Sequence, residues 1–133
     1  MRAIARREDG RLVHNVEIRE HQLKADEPRD HGGDDAGPSP QELLAASLAS
    51  CTAITMEMYA ERKGWQLPDL EVEVEMDYGP SLVPESFTVT LRVPKELSPE
   101  QQERLRVIAG KCPVHRALRS GTEISIEDRV ELV

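Results

Sequence analysis

The spacing of apolar residues switches several times along the chain between alternation and helical periodicity, and each switch marks an element. Ala3–Arg6 and Leu12–Ile18 read as strands around a Glu8-Asp9-Gly10 turn, with Leu12, Val16 and Ile18 on one face. His21–Ala25 reads as a short third strand. From Asp26 to Ser39 the residues are those of a loop, and at 14 residues it has the length of functional or mobile connections.

Ser39-Pro40-Gln41-Glu42 then predicts a helix start. Ser39 is the N-cap, Pro40 fills the first position where a missing N–H does no harm, and Glu42 closes a capping box. The helix is expected to run to Lys63, with Arg62 and Lys63 opposing its negative dipole end and Gly64 beyond. From Leu43 to Cys51 it is apolar or small on every face, the pattern of a buried helix. A stripe of Leu44, Leu48, Cys51, Thr55 and Met58 is expected to hold Cys51 in the interior.

Leu70–Tyr78 and Phe87–Val93 alternate as strands, joined into a hairpin by Gly79–Pro84. Ser98-Pro99-Glu100-Gln101 is a second capping box, opening a helix through Leu105 and Ile108 to Ala109 and Gly110. Pro113 begins a short helix with Gly121 after it, and Thr122, Ile124, Ile126, Val130 and Leu132 mark a last strand broken at Asp128. The order βββ–α–ββ–α–α–β predicts an α+β fold, with antiparallel sheets packed on a long buried central helix. The length predicts one domain over residues 1–133.

Charge narrows the function classes. With 25 acidic against 17 basic residues the net charge is −8, so no nucleic-acid partner is expected. The uncharged run Leu43–Met56 is too short and too polar to span a bilayer, and no apolar stretch follows the N-terminal arginines. A soluble, cytoplasmic protein is expected, with no membrane partner. Only 38% of residues are hydrophobic, a lean core that leaves room for stability from a second subunit.

Two cysteines in a reducing compartment are buried small hydrophobes, metal ligands or redox thiols. Cys112 stands where a helix begins, and unpaired N–H groups there favour a thiolate. Cys51 lies too deep in its helix for that effect and needs a nearby cation. Cys112 and His115 with Cys51 would give three metal ligands, but the paired spacing of a structural metal site is missing, so no metal or cofactor is expected. His115 is expected to contact backbone or solvent, and His14, His21 and His31 stand alone.

Gly37-Pro38-Ser39-Pro40-Gln41-Glu42-Leu43-Leu44, continuing through small residues to Cys51, resembles the helix motif of the OsmC/Ohr family, Asn-Pro-Glu-(Glu/Gln)-Leu followed by small residues and Cys. Ala109-Gly110-Lys111-Cys112-Pro113-Val114 resembles that family's second motif, Gly-Cys-Pro-(Val/Tyr)-Ser. The resemblance implies an OsmC-like fold and an intertwined homodimer that exchanges its N-terminal strands and carries two interfacial active sites. It implies hydroperoxide reduction, with Cys51 attacking, Cys112 resolving and an external dithiol as reductant. Cover from Leu44, Leu48, Ile54 and Met58 would favour apolar peroxides. The family completes its site with an Arg that stabilises the thiolate and a Glu that orients the Arg. Gln41 stands where that Glu usually lies, so the role passes to Glu42, and Arg29 in the preceding loop is the favoured arginine, ahead of Arg7 and Arg116. The alternative is a binding module of the same fold, holding a small ligand, with the cysteines incidental.

Overall fold

The computed structural model describes residues 1–119 and 124–133. Its contacts gather the chain into two compact units, one of residues 1–47 and 75–88 and the other of residues 48–74 and 89–133.

The first unit is built on an antiparallel sheet of β1 (Ala3–Arg7), β2 (His14–Ile18) and β3 (His21–Ala25) in that order. Ala5 pairs with Val16 and Val16 with Leu23, so the small and branched residues line up across the sheet. β2 turns into β3 through two residues, with Arg19 in the left-handed region at φ 54°. Leu12, expected to extend β2, lies outside it and is 45% exposed, whereas Val13 is buried.

Asp26 organises the long loop that follows. Its buried carboxylate accepts N–H groups from Glu27 (2.8 Å), Asp34 (3.1 Å) and Ala36 (3.0 Å). The loop folds back so tightly that a Cβ on Gly33 would stand 1.9 Å from the Glu27 carbonyl oxygen. This closure presents a 3-10 turn at Arg29–His31 and leads into α1 (Pro40–Lys63). Ser39 caps α1 as expected: its hydroxyl accepts the Glu42 N–H at 3.2 Å, and the Glu42 carboxylate accepts the Ser39 N–H at 3.0 Å.

The second unit holds the main core. Met56, Tyr59 and Ala60 of α1 pack with Leu67 and with Leu105, Ile108 and Ala109 of α2 (Pro99–Ala109). Val72 of β4 (Glu71–Tyr78) and Leu91 of β5 (Pro84–Arg92) close over them. β4 alternates as predicted, and Arg92 reaches across the hairpin to Glu71 and Glu73 on the wet face. Ser98 caps α2 in the expected capping box with Gln101. Arg104 of α2 donates to the Tyr59 hydroxyl at 2.9 Å, tying α2 to α1.

Two expectations are corrected. The buried face of α1 is Leu48, Thr52, Met56, Tyr59 and Ala60, which is rotated from the Leu44–Cys51–Met58 stripe. Cys51 therefore sits half-buried at the edge of the covered face, and Ile54 and Met58 are 59% and 61% exposed. The helix lacks charge on every side in its first half, so composition there did not determine which side packs. By length and apolar composition alone α1 would also pass for a bilayer-crossing segment, but its packed face is that of a core helix. The last strand does not form over residues 124–133, which carry no regular structure. Thr122 and Gly121 lie outside the described residues. Ile124, Ile126, Val130 and Leu132 have the alternation of a strand without one beside them to complete a ladder.

Because its backbone donors favour the ionised form, with Ala36 the largest contributor, Asp26 is held below the ordinary 3.8. Its stabilisation is therefore complete above the unfolded value and lost as pH falls through the lower, folded one. Protection of the Glu27, Asp34 and Ala36 amides, relative to the intrinsic exchange rate at each pH, should hold at neutral pH and be lost only under strong acid. In Asp26→Asn it should be lost already at neutral pH, read residue by residue by NMR.

Candidate thiol site

The second unit brings the two cysteines together. Cys51 lies about three turns into α1, and Cys112 is the N-cap of α3 (Pro113–Leu118), the position its spacing from Pro113 predicts. Both are free thiols; Cys112 is fully buried.

A helix begins with N–H groups that have no partner inside it. In α3 Pro113 has none to offer, and the Arg116 N–H is the first to find a carbonyl, that of Cys112, at 3.0 Å. The two amides in between go to sulfur. Val114 N–H donates to the Cys51 thiol and His115 N–H to Cys112 Sγ, the latter at 3.2 Å. The two thiols are close enough for each to influence the ionisation of the other. Hydroxyls complete the cluster: Thr55 meets Cys51, and Thr52 Oγ1 lies 3.7 Å from Cys112 Sγ.

Burial pushes the Cys51 pKa up, the Cys112 thiol pushes it the same way, and the Val114 N–H and Thr55 hydroxyl pull it down without cancelling the rise. None of these groups is a cation. The arrangement suits two thiols that exchange bonds with each other, held on a rigid frame, with Cys51 mostly protonated at neutral pH in the single chain. Among the described residues no cluster of His, Cys, Asp and Glu could hold a metal ion.

Of the other candidates, Arg29 lies exposed in the 3-10 turn and Glu42 at the start of α1, both in the first unit. Among the described residues no ion pair joins them. One oxygen of the Glu42 carboxylate is taken by its cap, and the Ser39 N–H holds the carboxyl below the ordinary 4.5. Sequence reasoning missed Thr52, Thr55 and the Val114 and His115 amides that meet the two sulfurs. The threonines were legible as positions one and four beyond Cys51, and the amides as consequences of a Cys-Pro helix start.

The OsmC-like protein pattern matches residues 32–127. The chain belongs to that family. An uncharacterized protein of Acinetobacter baylyi is 26% identical over 124 residues, covering 90% of this OsmC-like chain and 84% of its own. A Psychrobacter arcticus structure assigned to osmotic stress induction and detoxification superposes with a TM-score of 0.80 at 21% identity, covering 89% of this chain and 88% of that one. An organic hydroperoxide resistance protein of Legionella pneumophila, also described as a predicted redox protein, gives a TM-score of 0.60 at 25% identity over 90% of each chain. These matches give the chain an OsmC-like α+β fold and set it among relatives that include hydroperoxide resistance proteins.

The raised Cys51 pKa sets the pH response of the isolated thiol. Alkylation of Cys51 by iodoacetamide should accelerate about tenfold per pH unit from neutrality to about pH 9 without levelling off. Thr55→Val, which removes a group that stabilises the thiolate, should slow it further at every pH. Peptide mapping of quenched samples reads both rates.

Proposed function

We propose that this protein reduces organic hydroperoxides with Cys51 as the attacking thiol and Cys112 as the resolving one, as a cytoplasmic homodimer recycled by an external dithiol. The observation that carries the reading is the pairing of two reduced cysteines, each with a backbone donor from the first turn of α3. The Legionella relative, named for organic hydroperoxide resistance, supports the same chemistry.

The Cys51 thiolate attacks the peroxide, an S–O bond forms, the O–O bond breaks, and the alcohol leaves with a proton. Cys112 then attacks the sulfenic sulfur; the S–S bond forms, the S–O bond breaks and water departs. The external dithiol reduces the disulfide by exchange. Reaction at neutral pH requires a positive charge to offset the burial of Cys51, and Arg29 is our candidate, with Glu42 orienting it. A second subunit would cover Ile54 and Met58, the apolar side chains that α1 leaves open. The competing binding-module reading has one feature in its favour, an apolar groove of about 500 Å³ lined by Leu12, Val16, Pro40 and Leu43.

Cys51→Ser should abolish reduction of cumene hydroperoxide, while Cys112→Ser should allow one turnover and then accumulate sulfenic acid that over-oxidises with excess peroxide. Arg29→Ala should slow peroxide attack by about 10²-fold. Stopped-flow oxidation with mass spectrometry follows all three, and parent-like turnover in Cys51→Ser would sink the thiol mechanism in favour of the binding module. Sedimentation at micromolar concentration should give twice 14.9 kDa; a folded monomer would remove the homodimer.

A further inference from the structure

Three polar side chains are buried among the described residues: Asp26, Ser39 and Thr52. Asp26 and Ser39 bond main-chain amides of a loop and a helix cap. Thr52 meets another side chain. It lies on α1 with no exposure of its own, and its Oγ1 stands 3.7 Å from Cys112 Sγ, which is likewise wholly buried. A buried hydroxyl is costly unless it finds a partner, and here the sulfur is within reach.

Two contacts fix that sulfur, and they tie it to different elements. The His115 amide, at 3.2 Å, belongs to the same turn and holds Cys112 Sγ relative to α3. Thr52 belongs to α1 and directly follows Cys51 in the sequence. Its hydroxyl therefore sets the sulfur relative to the helix that carries the other thiol. The distinction matters because a disulfide forms only within a narrow range of sulfur positions and dihedral angles. A hydroxyl also suits both stages of the reaction: it accepts from a thiol S–H and donates to a sulfur that has lost its proton.

We propose that Thr52 is a positioning residue for the resolving cysteine, its hydroxyl holding Cys112 Sγ towards Cys51 while the two thiols close to a disulfide. The inference rests on the thiol-pair reading and adds the group that aims the second thiol. As Cys112 Sγ attacks the Cys51 sulfenic sulfur, the S–S bond forms and the S–O bond breaks. The Cys112 proton joins the departing hydroxide, which leaves as water. Thr52 neither gains nor loses a proton; its hydroxyl turns from acceptor to donor as charge builds on the sulfur. Thr55, one turn further along α1, meets Cys51 instead, so each threonine serves one thiol.

The test compares two variants. Val keeps the branched shape without the hydroxyl, and Ser keeps the hydroxyl without the methyl. A packing role and the proposed role rank them in opposite orders, because a buried methyl removed leaves a cavity. Closure is driven with cumene hydroperoxide and, separately, with diamide, which takes one hydrogen from each thiol and becomes a hydrazine without a sulfenic acid. At saturating oxidant the appearance of disulfide reports the closure step, read by quenched alkylation and mass spectrometry. Thr52→Val should close about tenfold more slowly with either oxidant, the rate equivalent of one lost hydrogen bond. With peroxide it should also accumulate Cys51 sulfenic acid. Thr52→Ser, which retains donor and acceptor, should close within about twofold of the parent rate. Parent-rate closure in Thr52→Val, or closure in Thr52→Ser as slow as in Thr52→Val, would overturn the proposal and leave Thr52 a packing residue. If peroxide never oxidises the parent while diamide closure keeps the order parent, Ser, Val, the peroxidase reading fails and the positioning role stands. A parent in which neither oxidant joins Cys51 to Cys112 removes both.

Discussion

The thiol site depends on how the first turn of α3 disposes of its backbone donors. Helix starts satisfy unpaired amides with a capping oxygen or with water. Here a cysteine is the cap, a proline removes one donor, and the remaining two amides each go to a sulfur. One turn of backbone thus fixes the positions of Cys51 and Cys112. A sulfur acceptor on an amide is also a place where negative charge can develop during reaction. For Cys51 the contact that sets the geometry also eases ionisation, although burial outweighs it in the single chain.

The rest of the second unit keeps that turn in place. Leu105, Ile108 and Ala109 bury the end of α2 against α1, so the chain emerges from the core only two residues before Cys112. Thr52, beside Cys51 on α1, is fully buried and faces the Cys112 sulfur. A hydroxyl in that position is polar enough to accompany a thiol and small enough to let the two segments approach. Burial and hydrogen bonding thus act on the same side chain.

Much of this was legible in the sequence because the signals were local. Ser39–Glu42 and Ser98–Gln101 announced both long helices, the alternation of β4 announced its wet face, and Pro113 placed Cys112 at a helix start. The rotation of α1 was not legible. Ala and Ser on every side of its first half give no contrast, and the packed face is selected by Leu105 and Ile108, far away in sequence. The turn at Arg29 was readable only as a loop, since the carboxylate of Asp26 that shapes it bonds to main-chain groups, which leave no residue pattern.

The C-terminal residues carry their own safeguard. Ile124 and Ile126, at 64% and 84% exposure, and Val130 and Leu132, at 90% and 98%, form an apolar alternation that invites edge-to-edge pairing with any extended chain. Glu127, Asp128 and Arg129 are set between the two apolar pairs, and Glu131 within the second, four charged residues in all. Three of those four are acidic, and on a chain of net charge −8 two such segments repel when they approach. They act as gatekeepers against the pairing of two such segments.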